Sequence, residues 1–331
     1  MTDGAQLYPW TREAARRLTR DIERLPHALL LAGPRGLGKD AFAAQMTQIL
    51  SCTQPDMVAP AACGVCQNCR LLAAGTHPDV QWVTPADERK AITVDQIRAL
   101  AEFLHLRPHI GQRKLVVISP AEAMNIHAAN SLLKLLEEPP PDSVLMLVGA
   151  DAARLPRTVL SRCQRVVFFP PARSEALAWL RAADRVPGGE AELLLDLAGG
   201  APLRALTLQQ DGFLPVRSEL LGDMEALGTG KADPVSCAAR WKAHGARHCL
   251  EWLEGGIMDL IKIGMASAPG RLVNPDAGER LHVLKKRLDL KQLFRFLEVV
   301  SGGRRLLDGP ADELLLLEDI LIRWSRLARQ K

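Results

Sequence analysis

Five runs of consecutive apolar residues mark the first half of the chain: "HALLLAG" (27–33), "DVQWVT" (79–84), "KLVVIS" (114–119), "SVLMLVG" (143–149) and "QRVVFF" (164–169). Their apolar positions are continuous, whereas a strand with one wet face would alternate. Each is therefore expected to be a strand buried on both faces. Helical stretches separate the runs, which predicts a parallel α/β sheet. The clearest helix is expected from about Glu122 to Glu138, with Met124, His127, Asn130, Leu133 and Leu136 near helical spacing. Pro139, Pro140 and Pro141 end it.

The pattern changes after Pro170 and Pro171. "SEALAWLRA" opens on Ser174, the expected N-cap of a helix. "AELLLDLAGGAPLRALTL" reads as two short helices broken at Gly199 and Gly200. Beyond about residue 210 no run reads as a strand. The closing "ADELLLLEDILIRWSRLARQ" is apolar around much of its surface, equally suited to a buried helix and to one that also packs on another subunit. Three zones follow: an α/β domain over 1–170, a small helical lid over 171–209 and an all-α domain over 210–331.

Composition narrows the function. A chain of 331 residues has room for two or three domains, and 47% hydrophobic residues is ordinary for a globular protein. A net charge of +4 is too mild to indicate tight nucleic-acid or membrane binding by itself. One Tyr and seven Phe argue against a base-stacking platform. The opening residues lack an apolar core, and no run reaches the ~18 apolar residues of a membrane span. The expectation is a cytosolic (cytoplasmic) protein with no membrane partner, where disulfides are rare.

Candidate chemistry begins at "LLLAGPRGLGKDAFA" (29–43). Gly33, Gly38 and Lys39 have the phosphate-loop spacing, with Gly36 between them, after a strand and before a helix. Such glycines let N–H groups surround phosphates, and the lysine reaches the terminal ones. The next position normally supplies a hydroxyl to Mg²⁺, but Asp40 stands there. Its charge repels a phosphate chain by about 4 kcal/mol at ~4 Å in a surface-like dielectric, before screening. The acids that should follow a later strand are also missing. After "VVI" come Ser119 and Pro120, and the first acid, Glu122, is expected on the helix. Asp79 precedes its strand, and Asp151 lies two residues beyond Gly149. Weakened ATP or ADP binding without hydrolysis is the expectation.

Four of the seven cysteines cluster: Cys52, Cys63, Cys66 and Cys69. Four thiolates at this spacing suit a closed, tetrahedral, structural Zn²⁺ site. An iron–sulfur cluster is the competing reading, although the usual continuation after the last cysteine is absent. Cys163, Cys237 and Cys249 are scattered and read as ordinary buried thiols.

The altered loop and the cysteine insertion are joined by "THPDV" (76–80), "NSLLKLLEEPP" (130–140) and "LPRTVLSRC" (155–163). Together they resemble the clamp-loader branch of the AAA+ family, well over residues 1 to about 210 and less specifically in the helical remainder. The resemblance implies an α/β AAA+ parallel-sheet domain with a zinc module, a helical lid and a helical collar. It makes Ser161, Arg162 and Cys163 the family's serine-arginine-cysteine motif, with Arg162 an arginine finger reaching a neighbour's ATP. It makes Arg204 the second-sensor arginine and puts Gly149 and Ala150 where first-sensor threonines are expected. The implied function is a non-hydrolysing, stationary subunit of the DNA sliding-clamp loader, part of a polymerase holoenzyme. Its implied partners are ATPase subunits of the tau/gamma kind and a clamp-opening delta subunit in a pentameric ring. The clamp and primed DNA are met through that assembly. An active ATPase motor is the alternative, supported by Lys39 and Arg204. A third reading is a regulator whose zinc module touches DNA.

Overall fold

The computed structural model describes residues 7–86, 91–182, 185–187, 189–265, 271–307, 309 and 311–329. It divides into two compact units, Met1–Pro171 and Ala172–Lys331.

The first unit runs α1 (Arg12–Thr19), β1 (Ala28–Ala32), α2 (Lys39–Ser51), α3 (Gln67–Ala73), β2 (Val80–Val83), α4 (Val94–His105), β3 (Lys114–Ile118), α5 (Ile126–Glu137), β4 (Ser143–Gly149), α6 (Arg157–Leu160) and β5 (Gln164–Val167). Each expected apolar run contains one strand, and the five form a single sheet in the order β2-β3-β4-β1-β5. Every pairing is parallel. This is the expected parallel α/β sheet, and every residue of β1, β3 and β4 is buried. On one face, Leu30, Val116 and Leu145 pack with Ile97 and Leu100 of α4 and Leu132 and Leu136 of α5. In β1, β3 and β4 the continuous apolar runs reflect burial on both faces of a covered parallel sheet; β2 and β5, expected to be buried likewise, are the edge strands and keep exposed residues, Trp82 in β2 and Gln164, Arg165 and Val167 in β5.

The α5 helix starts later than expected. A 3-10 turn at Ala121–Ala123 comes first. Asn125 then caps the helix, its side chain accepting from the Ala128 N–H at 2.8 Å. Glu122 is thus on the turn before the helix. The buried face is Ala128, Ala129, Leu132, Leu135 and Leu136, while His127 and Asn130 are exposed.

Asp79 fixes the approach to β2. Fully buried, it accepts from the backbone N–H groups of His109, Ile110 and Gly111 at 2.6, 2.9 and 2.7 Å. The buried Lys114 ammonium lies 3.1 Å away. Asp79 is therefore occupied in tying the turn before β3 to the start of β2.

The second unit is helical throughout its described residues: α7 (Arg173–Arg181), α8 (Ala191–Leu197), α9 (Pro202–Gln210), α10 (Phe213–Gly228), α11 (Pro234–Ala243), α12 (Ala246–Met265), α13 (Gly278–Lys285), α14 (Leu290–Leu306) and α15 (Glu313–Arg329). Ser174 is not the N-cap of α7. The helix starts at Arg173, two residues earlier than a cap at Ser174 implies; Ala172 holds the cap position, and no side chain caps it. Gly199 and Gly200 take positive φ and end α8, as their sequence suggested. One buried cluster runs from Leu180 on α7 through Leu220 and Trp241 to Trp324 on α15. The buried residues of α15 are Leu317, Ile320, Leu321, Trp324, Ser325 and Ala328, a single stripe at helical spacing. No helix among the described residues is long and apolar enough to cross a membrane.

Candidate functional site

The glycine loop joins β1 to α2. Gly33 has a φ of +148°, and a Cβ there would sit 2.3 Å from the Phe168 carbonyl oxygen, so only glycine lets the loop pass the end of β5. Gly38 is left-handed at φ 83° and forms the N-cap of α2. Gly36 is also left-handed, and Gly33, Gly36, Gly38, Lys39 and Asp40 share one turn as their spacing implied.

Both charged side chains of the loop have partners within the protein, Lys39 buried and Asp40 exposed. Lys39 is 5% exposed, and its Nζ donates to the Pro34 carbonyl at 2.8 Å, within the loop itself. Burial lowers its pKa, against the nearby charges of Asp40 and Glu122. Asp40 Oδ1 accepts from the Ser119 hydroxyl at the end of β3. The residue in the magnesium position thus bonds the residue in the position of the missing acid.

Glu122 is also nearby. One of its oxygens accepts from the Ala150 N–H at 3.0 Å, just past β4. The other is buried without a hydrogen-bond partner among the described residues. A Cβ at Gly149 would lie 3.2 Å from it. At Gly149 and Ala150, where the resemblance implies that the first-sensor hydroxyl is gone, the Ala150 amide and the Glu122 carboxylate meet. Sequence placed Ser119 and Glu122 after β3, where acids were sought, but not the bonds they make, Ser119 to Asp40 and Glu122 to Ala150, which arise only through the sheet.

Arg204 lies on α9 in the second unit, where its guanidinium pairs with Glu251 of α12.

The serine-arginine-cysteine segment follows α6. Val159 is fully buried and Cys163 is 9% exposed, so the backbone is anchored on both sides of Arg162. Burial raises the Cys163 thiol to about 11, keeping it neutral and inert. Between these anchors the Arg162 side chain reaches the surface. Its Nη1 donates to the Thr158 carbonyl at 3.0 Å, and its Nη2 lies 2.6 Å from Glu137 at the end of α5. Ser161 Oγ donates to the same Thr158 carbonyl at 3.1 Å. Glu137 is a partner that sequence reading did not single out.

Cys52 at the end of α2, Cys63 and Cys66 in the segment between α2 and α3, and Cys69 in the first turn of α3 converge, their four sulfurs within 4.8 Å of one another. A tetrahedron with ~2.3 Å Zn–S bonds needs sulfurs about 3.8 Å apart, close to this arrangement. Backbone N–H groups already point at the sulfurs: Cys63 N lies 3.3 Å from Cys52 Sγ, and Cys66 N lies 3.4 Å from Cys63 Sγ. Burial opposes ionisation of Cys66, but hydrogen bonds from Thr53 and Cys69 bring its thiol down to about 5. Cys69 is pushed up to about 12 by burial and by its neighbour Cys66. Four adjacent thiolates repel one another, so only a bound cation lets all four ionise together. The donor set therefore fits a metal ion. Cys237 and Cys249 are fully buried thiols, as expected.

The family described as "DNA polymerase III, delta subunit" matches residues 10–172. The family described as "DNA polymerase III, delta subunit, C terminal" matches residues 212–326. DNA polymerase III subunit delta' of Pseudomonas aeruginosa is 33% identical over 98% of this chain and 98% of its own length. The subunit delta' of Escherichia coli is 31% identical over 96% of this chain and 94% of its own length. DNA polymerase III subunit tau of Salmonella typhimurium is 36% identical over 43% of this chain and 21% of its own length.

Proposed function

The chain belongs to the family of DNA polymerase III delta-prime subunits, and from that premise we propose that it is the non-hydrolysing subunit of the clamp-loader ring. One contrast carries the reading. The buried Lys39 is tied to the Pro34 carbonyl of its own loop, and the exposed Asp40 stands in place of the Mg²⁺ hydroxyl and bonds Ser119, whereas the exposed Arg162 is carried on a backbone anchored by the buried Val159 and Cys163. The chain cannot place a hydroxyl on Mg²⁺ from position 40, so hydrolysis on its own loop lacks a metal ligand. A guanidinium presented in trans neutralises charge developing on a neighbour's γ-phosphate, an effect worth ~10³–10⁵ in rate in the best-studied finger systems.

In this reading the neighbours are tau/gamma-type ATPase subunits and a delta subunit in a pentameric ring, working in the cytoplasm. The clamp and primed DNA are reached through that assembly. Residues 171–209 act as a lid and 210–331 as the collar. Arg204, paired with Glu251, is a remnant of the second sensor. The four cysteines hold a structural zinc that pins the turn between α2 and α3; the ion's charge makes the four thiolates compatible, while the chain positions the sulfurs.

The test is ATP turnover by the reconstituted loader. Arg162→Ala should silence the neighbouring site, since ~10³-fold slowing there removes its whole share of turnover. Lys39→Ala should leave turnover unchanged. Normal turnover with Arg162→Ala refutes the finger. Turnover by the isolated chain that Lys39→Ala abolishes would instead make it a motor.

A further inference from the structure

The finger is useful only if its guanidinium is aimed, and an exposed arginine has many rotamers. Holding one in a single direction costs side-chain entropy, so some contact must narrow the choice. Besides the adjacent Ser161 hydroxyl, 3.4 Å from Nη1, two contacts do so here. The Thr158 carbonyl takes Nη1 at 3.0 Å, and Glu137 takes Nη2 at 2.6 Å. The first comes from the arginine's own helical turn. The second comes from a different element and alone fixes the guanidinium relative to the sheet domain.

Glu137 is well placed for that task. It is the last residue of α5, and the prolines that follow prevent the helix from extending. The turn beneath it is buried through Leu135 and Leu136, in the cluster that also contains Val159 and Cys163. Both ends of the Glu137–Arg162 pair therefore rise from one packed core. The pair itself is open to water, with side chains 50% and 36% exposed, so it contributes little to stability. Its effect is on direction.

We propose that Glu137 is a positioning residue for Arg162: its carboxylate aims the guanidinium that this subunit offers to the adjoining ATP site. The proposal rests on the finger reading. Glu137 itself need not touch nucleotide. It narrows the orientations from which Arg162 meets the γ-phosphate and leaves the neighbour's affinity for ATP to the neighbour.

Steady-state ATP hydrolysis by the reconstituted loader tests this, with Glu137→Ala, Glu137→Gln, Arg162→Ala and the Glu137→Ala/Arg162→Ala pair. Glu137→Ala should lower kcat of the finger-dependent share by about tenfold, below the hundredfold that an ångström of misplacement can cost. KM for ATP should stay within about twofold, because ground-state binding is untouched. Glu137→Gln keeps an acceptor oxygen and should recover most of the rate. The double variant should be no slower than Arg162→Ala alone, as expected when one residue acts only through the other. A normal or raised kcat for Glu137→Ala, with Arg162→Ala still impaired, overturns the positioning role and leaves the finger intact. A double variant slower than either single change also overturns it. Normal turnover with Arg162→Ala removes the finger and this role together.

Discussion

Two carboxylates in the first unit show how much surroundings decide at the scale of a residue. Asp40 sits at the mouth of a phosphate loop and spends a lone pair on Ser119. Asp79 is buried, yet it stays ionised. Burial alone would raise its pKa, but three backbone N–H donors and Lys114 outweigh this and hold it well below the usual carboxylate range. A depressed folded-state pKa means stability that is present above the unfolded value near 4 and is lost as pH falls through the folded value. Asp79→Asn should therefore cost about 3–5 kcal/mol at neutral pH, because it strands a buried Lys114. It should also flatten the acid limb of the stability curve. Urea denaturation at several pH values measures both, and an unchanged acid limb would show that Asp79 is not its source.

Elements make these placements possible. The loop works as a turn because Gly33 avoids the Phe168 carbonyl and Gly38 opens α2. The cysteine module has little apolar material of its own, and Met57, Val58 and Val65 are exposed. Its order should then depend on the metal. The protein should carry one zinc ion per chain by elemental analysis. Cys63→Ser/Cys66→Ser should lose it, and amide exchange should accelerate over residues 52–75 while β1, β3 and β4 stay protected. Full metal content in that variant would contradict the assignment, and a coloured protein would point to iron.

At the scale of the whole molecule, each unit has its own buried cluster. A chain with two separate cores need not unfold in one step. Trp324 is fully buried, donates to the Met224 carbonyl at 3.0 Å and packs on Phe296. Trp324→Ala should remove about 3–5 kcal/mol from the helical unit. Calorimetry should show the helical unit's transition move down while that of the sheet unit stays put. A single transition that shifts as a whole would mean that the two units unfold together.

Sequence by itself determined the elements and their chemistry. Apolar runs marked all five strands; in β1, β3 and β4 burial on both faces leaves no polar alternation, whereas the edge strands β2 and β5 keep exposed residues. Glycine spacing marked the phosphate loop, and cysteine spacing marked the sulfur cluster, since both are short-range signals. Helix starts were less legible, as α5 and α7 show, because caps compete over one or two residues. What only the tertiary structure decided was which distant side chains meet. Ser119 reaches Asp40, Glu122 reaches the Ala150 N–H, Glu137 holds Arg162 and Arg204 turns to Glu251. Periodicity records which face of an element is buried, but contacts between elements are set when the sheet and helices pack, and a one-dimensional pattern carries no such distances.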